Sequence, residues 1–216
     1  MNEMLQKYLN EEIMPKNDLN DSGHNTSHVN YVRRRSIKFA HIIGNLNLDM
    51  VDTIAVYHDV GHSIDAKNHE KISAKILFED EKLREFFNEN EIITMMEAIE
   101  DHRASRNAEP RSIYGKIVSS ADRNTSVDEL LKRTYAYRLK HMPDAELDQI
   151  IADSKEHAIN KFGINGYATS KMYFPDDEYD AFLKEIQELV SNSDEFRKRF
   201  IEVNNIGIIR SRIKES

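Results

Sequence analysis

Asp49-Met50-Val51-Asp52-Thr53-Ile54-Ala55-Val56-Tyr57-His58-Asp59-Val60-Gly61-His62 carries apolar residues at 51, 54 and 55, the spacing of one helical face. His58 stands at the next position of that stripe, where a leucine is expected. Gly61 supplies a permissive backbone on which the helix is expected to stop, leaving Asp59 and His62 near its end. One buried histidine beside an aspartate is ordinarily a hydrogen-bonded pair in a core. The reading changes because the same replacement recurs on other predicted helices.

Upstream, Leu5, Tyr8, Leu9 and Ile13 predict a packing helix over 3–13, ended by Pro15 and the polar run 17–23. Thr26 or Ser27 then caps a helix that runs to Ile43 and stops at Gly44. Its stripe is Val29, Val32, Ala40 and Ile43, and His28 stands one turn before Val32. Downstream, a helix starting at Asn68 turns His69, Ile72, Ile76 and Leu77 inward. Asp80 caps a short helix, and Asn90 caps a longer one whose stripe of Met95, Ala98 and Ile99 runs on to His102. Over 112–122, Ile113, Ile117, Val118 and Ala121 share a side, and Asp122 is the i+4 neighbour of Val118. Beyond Ser126, four further amphipathic helices are expected, interrupted at Pro143-Asp144 and by the polar loop 163–175. No repeat or alternating strand pattern occurs, so the predicted fold class is all-α, a single domain over 1–216.

Composition agrees: among 216 residues, 39% are hydrophobic and 31% charged, with only 7 Gly and 4 Pro, which suits a soluble helical chain. Absence of cysteine removes disulfides, thiolate metal sites and cysteine nucleophiles, so any metal must be held by His, Asp and Glu. It also fits a cytoplasmic setting. A net charge of −8 argues against a protein that coats nucleic acid. Met1 to Lys7 lacks a basic start before an apolar run, and no 18-residue apolar window occurs, so neither a signal peptide nor a membrane span is expected.

His28, His58, Asp59, His69, His102 and Asp122 thus all lie at or beside core-facing positions of separate helices. Burying them without partners costs roughly 1 to 3 kcal/mol for each unsatisfied polar group, and more for charges, so they should satisfy one another or share an ion. Four imidazoles and two carboxylates without sulfur suit manganese, iron, cobalt, nickel or zinc and argue against an all-oxygen calcium site.

Ordered in this way, the residues resemble the HD-domain superfamily of metal-dependent phosphohydrolases over roughly residues 24–125, with 126–216 as a C-terminal helical extension. His28 in Ser27-His28-Val29 resembles the first family histidine, His58-Asp59 the doublet, and Asp122 in Ala121-Asp122-Arg123 the closing aspartate. The resemblance implies an all-helical bundle in which these four hold one metal. His69 and His102 are similar to the histidines that hold a second ion in dinuclear members, with Asp59 bridging; in a mononuclear member they would grip phosphate or donate protons instead. His62 lies where many relatives carry lysine, a departure that argues against a fixed positive charge there, although a protonated imidazole can still contact phosphate.

The activity implied is hydrolysis of a nucleotide or another small phosphate ester by metal-activated water, with Asp59 orienting the water. His62, Arg103 and Arg123 are the expected cationic neighbours of the phosphate, and Lys116 and Arg106 weaker candidates. Two other classes stay open: a di-iron oxygenase, since the chain supplies six His/Asp ligands, and a noncatalytic metal-binding sensor module. Arg33-Arg34-Arg35 is expected to be solvated surface, and His24, in a loop, either to flank the site or to be structural, the latter preferred. The region from Ser126 onward is expected to form a lid, a substrate wall or a homodimer surface.

Overall fold

The computed structural model describes residues 1–21 and 23–206; Ser22 and the end of the expected extension, 207–216, lie outside the described residues. Among the described residues there is no strand and there are ten α-helices. They are α1 (Glu3–Tyr8), α2 (Thr26–Ile43), α3 (Leu48–Tyr57), α4 (His69–Glu79), α5 (Glu89–Glu100), α6 (Ile113–Ala121), α7 (Val127–His141), α8 (Leu147–Phe162), α9 (Asp177–Ser191) and α10 (Ser193–Val203). The fold class is therefore all-α, as predicted.

These helices form two compact units, Met1–Arg123 with Lys171–Phe174, and Asn124–Ser170 with the described residues from Pro175. In the first unit α3 is central, packing against α2, α4, α5 and α6. The stripe at 51, 54 and 55 understates it, because every residue from Met50 to Tyr57 is buried. A helix buried all round must satisfy its polar side chains internally. Asp52 accepts two bonds from Arg33, from Nε and Nη2, both at 2.7 Å. Tyr57 donates its hydroxyl to Asp80 at 2.5 Å, and burial followed by that carboxylate raises its pKa far above the phenol range.

Several local expectations need correction. Pro15 does not end the first helix in a loop: α1 continues as a π-helical turn over Leu9–Ile13 and a 3-10 turn over Met14–Leu19, where proline is tolerated at the start because no N–H is required there. Asn25, not Thr26 or Ser27, caps α2, accepting from the N–H groups of Ser27 and His28. Asn88, not Asn90, caps α5 through a capping box with Glu91. Gly61 follows a helix that has already ended at Tyr57, and its need is space: a Cβ there would lie 2.7 Å from Ile72 Cγ2 and 2.8 Å from Ser73 N. Arg33-Arg34-Arg35 is not a solvated run, since Arg35 is fully buried.

Lys171–Phe174 completes the first unit as a strap: Lys171 Nζ donates to the Arg106 carbonyl at 3.1 Å, Tyr173 N to Ser120 Oγ at 3.1 Å, and the Phe174 ring lies 5.4 Å from Phe39. The second unit, α7 to α10, has its own apolar centre, with Phe162 edge-on to Phe182 at 4.9 Å. Tyr179 donates to the Ala168 carbonyl at 2.9 Å, fixing the loop after α8. No helix among the described residues is long and apolar enough to cross a membrane.

Candidate metal centre

The six proposed ligands come together, and all but Asp59 come from helix ends. His28 lies in the first turn of α2, His58 just past α3, His69 at the start of α4, His102 two residues beyond α5, and Asp122 at the C-cap of α6. The last carbonyls of a helix lack intrahelical partners, and the histidines use this. His58 Nδ1 donates to the Ala55 carbonyl at 2.8 Å and His102 Nδ1 to the Ile99 carbonyl at 2.6 Å. His69 Nδ1 makes the same bond three residues back, to Ala66 at 3.0 Å. In each ring the proton is thereby held on Nδ1 and Nε2 is turned inward.

Asp59 lies between two pairs. His58 and His28 approach Oδ2 at 3.1 and 3.5 Å, while His69 and His102 stand 3.2 and 3.7 Å from Oδ1. The Nε2 atoms of His28 and His58 are 3.3 Å apart, and those of His69 and His102 are 3.1 Å apart. Asp122 meets His28 Nε2 at 3.1 Å, adding a second carboxylate to the first pair. Asp59 Oδ1, although 3.2 Å from His69, has no neighbour in hydrogen-bonding geometry and is fully buried.

Proton affinities divide along the same line. Burial opposes charge on His28 and His58, but Asp122 and Asp59 outweigh it at His28, and Asp59 with Asp122 outweighs it at His58, raising both; His58 reaches about 9. Burial pushes His102 down to about 3, against the pull of Asp59 and with the help of His58 and His69. Burial opposes ionisation of Asp59 and Asp122, yet the imidazoles overcome it: His58 and His28 hold Asp59, and His28 and His58 hold Asp122, below the carboxylate range. The donor set therefore fits a divalent ion. It offers inward imidazole nitrogens, an orphaned carboxylate oxygen and buried negative charge, and one cation can replace the protons that the first pair otherwise keeps.

The expected phosphate-binding cations are distributed differently. His62 is beside the centre, 5.2 Å from His69 between ring centroids. Burial and then His24 push its pKa down to about 4. Arg103 donates to the Lys67 carbonyl at 2.6 Å and to Glu70 at 3.1 Å, on the wall of a cavity of about 350 Å³. Lys116 pairs with Glu109 at 3.2 Å and lies over the Tyr173 ring. Arg123 is buried and donates to Ser119 Oγ at 2.7 Å. Arg106, the weaker candidate, pairs with the buried Asp101.

Two further contributors lie at the centre, His24, left open as a flanking residue, and Arg35, read as surface. His24 is drawn to the centre, its ring 3.8 Å from His62 in a stack and 5.8 Å from His28. Arg35 braces α6: its Nε donates to the Ala121 carbonyl at 3.1 Å and its Nη2 to that of Ser120 at 3.4 Å, while Tyr31 donates to the Arg123 carbonyl at 2.7 Å. The carbonyls on both sides of Asp122 are thus fixed from α2. In the sequence Arg35 was hidden inside a charge run; its position three residues after Val32 was the available signal.

Residues 27–125 match the family model described as HD domain, so over that span the chain is a member of the HD-domain superfamily. The matched span takes in His28, the His58-Asp59 doublet, His69, His102 and Asp122. No curated protein and no solved structure matches the chain.

Proposed function

We propose that this chain is a metal-dependent phosphohydrolase acting on a nucleotide or another small phosphate ester. The observation that carries the reading is the Asp59 carboxylate facing one histidine pair with each oxygen, Oδ2 toward His28 and His58 and Oδ1 toward His69 and His102. In this reading His28, His58, Asp59 and Asp122 hold one ion, and Asp59, His69 and His102 hold a second. When bound, such ions supply a water acidic enough to yield hydroxide near neutral pH and positive charge for a phosphoryl oxygen. Asp59 keeps both halves in register and orients the attacking water. His62, beside the centre, is the near contact for the phosphate, and Arg103 a more distant one, on a cavity that it lines with Arg106 and Arg111. Arg123, buried next to Asp122, contributes a fixed positive charge by position, and Lys116 is a more distant anion contact.

Metal content measured by mass spectrometry on protein purified without chelator, beside hydrolysis of a nucleotide panel and generic phosphate esters, tests this. Tight metal with turnover that His58→Ala and Asp59→Ala abolish is expected. The same six-residue set also favours a second reading, substrate oxidation at a di-iron centre. Two bound irons with no phosphate-ester turnover would replace the first reading with that one.

A further inference from the structure

Next to the six-residue centre lies a second group that shares none of its residues. Asp21, His24 and His62 each present a ligand atom within 4.8 Å of the other two. Asp21 Oδ1 meets His24 Nδ1 at 2.7 Å and accepts from Gly23 N at 2.9 Å, so the carboxylate both orients the ring and faces the cluster. His24 and His62 stack at 3.8 Å with their planes 20° apart, although they come from loops 38 positions apart in the chain (62 less 24), one before α2 and one after α3.

The two loops are locked together independently of this contact. Asn20 Nδ2 donates to the carbonyls of His24 and Asp59, each at 2.9 Å, and Asn20 Oδ1 accepts from Ser63 N at 2.8 Å. Gly61 N donates to Ser73 Oγ at 2.9 Å, and the absence of a Cβ at Gly61 lets the turn carrying His62 lie against α4. One asparagine therefore binds the backbones that carry both rings, which is the bracing a preorganised ligand set requires. An ordinary surface pair of histidines needs none of it.

We propose that Asp21, His24 and His62 form a third divalent-metal site, separate from the Asp59 centre. Two imidazoles and one carboxylate select manganese, iron(II), cobalt, nickel or zinc over calcium, and three protein ligands leave coordination positions for water or an anion. Asp21 and His24 are partly exposed, with side-chain accessibilities of 49% and 24%, so an ion here exchanges with solvent more readily than one at the buried centre. Its neighbour across the cluster is His69, with ring centroids 6.3 Å from His24 and 5.2 Å from His62, which places an open-coordinated cation at the edge of the centre. Its use, holding a phosphate oxygen of the substrate, rests on the phosphohydrolase reading; its binding of metal does not.

Zinc content at saturation, followed by dialysis against a zinc-buffered solution, is compared for wild type, Asp21→Asn, His24→Gln and His102→Gln, with helicity checked by circular dichroism. Asp21→Asn and His24→Gln are each expected to lose one zinc equivalent, and a His24→Gln/His102→Gln double variant to lose one more. Unchanged zinc content in the folded single variants overturns the proposal, and so does parallel loss of every equivalent from a folded His24→Gln protein. Anomalous diffraction from zinc-loaded wild-type crystals decides the matter should a variant fail to fold: a peak bounded by Asp21, His24 and His62 is expected, and its absence refutes the site. A peak there together with no phosphate-ester hydrolysis would leave the site standing and remove only its substrate role.

Discussion

The two histidine pairs around Asp59 have nearly the same Nε2 separation, 3.3 Å for His28 and His58 and 3.1 Å for His69 and His102, and face the same carboxylate. Their proton affinities nevertheless diverge, with His58 raised to about 9 and His102 pushed down to about 3. Both rings are fully buried, so desolvation alone does not separate them. The causes differ: at His58 the Asp59 carboxylate, 3.1 Å away, and then Asp122 outweigh burial, whereas at His102, 3.7 Å from Asp59, burial prevails with the help of His58 and His69. One half has two carboxylates against its imidazoles, Asp59 and Asp122, and the other has Asp59 alone within 4 Å.

Removing what the halves share has the largest expected effect. Asp59→Ala should empty both halves and lower kcat/KM by on the order of 10³-fold or more, the scale of losing a central electrostatic element. Metal analysis and kinetics check this; retention of either ion would show that the halves are held independently. Next come Asp122→Ala and His102→Ala, each expected to remove the ion from its own half with the helices intact. Equal loss of both ions in either variant would break the division. Arg35→Lys, which replaces a fork on the Ser120 and Ala121 carbonyls by a single ammonium, should weaken only the Asp122 half, by roughly 10- to 100-fold in metal affinity. Competition with a chelating dye reads that shift, and an equal shift in the His102 half would assign Arg35 a general structural role.

The smallest effect is on stability without metal. His58, with its folded pKa of about 9 above the ordinary 6.5, contributes stability that is complete below pH 6.5 and is lost as pH rises through 9. His102, held down to about 3, behaves oppositely: stability is retained above 6.5 and lost as pH falls toward 3. Chelated protein should therefore weaken on both sides of pH 6.5 in urea unfolding. His58→Gln should flatten the alkaline side and His102→Gln the acid side. Metal should be taken up with proton release, more strongly as pH rises.

Most of the centre was legible because its residues interrupt a pattern. His28, His58, His69, His102 and Asp122 each occupy a place where helical spacing calls for an apolar side chain, and a regular stripe makes the exception visible. His24 and Asp21 sit in a loop, where there is no period to violate, and their approach to His62 depends on the long-range brace of Asn20. Arg35 was obscured for a related reason. Three adjacent arginines point around a helix in three directions, and only the packing of α2 on α6 settles which one turns inward. Helix starts at Asn25 and Asn88 slipped by one or two residues because neighbouring polar residues compete as caps.

The strap at Lys171–Phe174 bears on modularity. Its flanks, Ser170 and Pro175, belong to the second unit, so the polypeptide leaves the first unit after Arg123, comes back for 171–174 and departs again. The family match stops at 125, yet Met172 and Phe174 pack against the first unit's core. The HD domain of this chain is therefore not a cassette that can be cut out at its recognisable boundary. A gene fragment ending at codon 125 encodes the metal ligands but omits part of their own scaffold, and recombination or grafting that respects only the sequence boundary would transplant an interior with a missing wall.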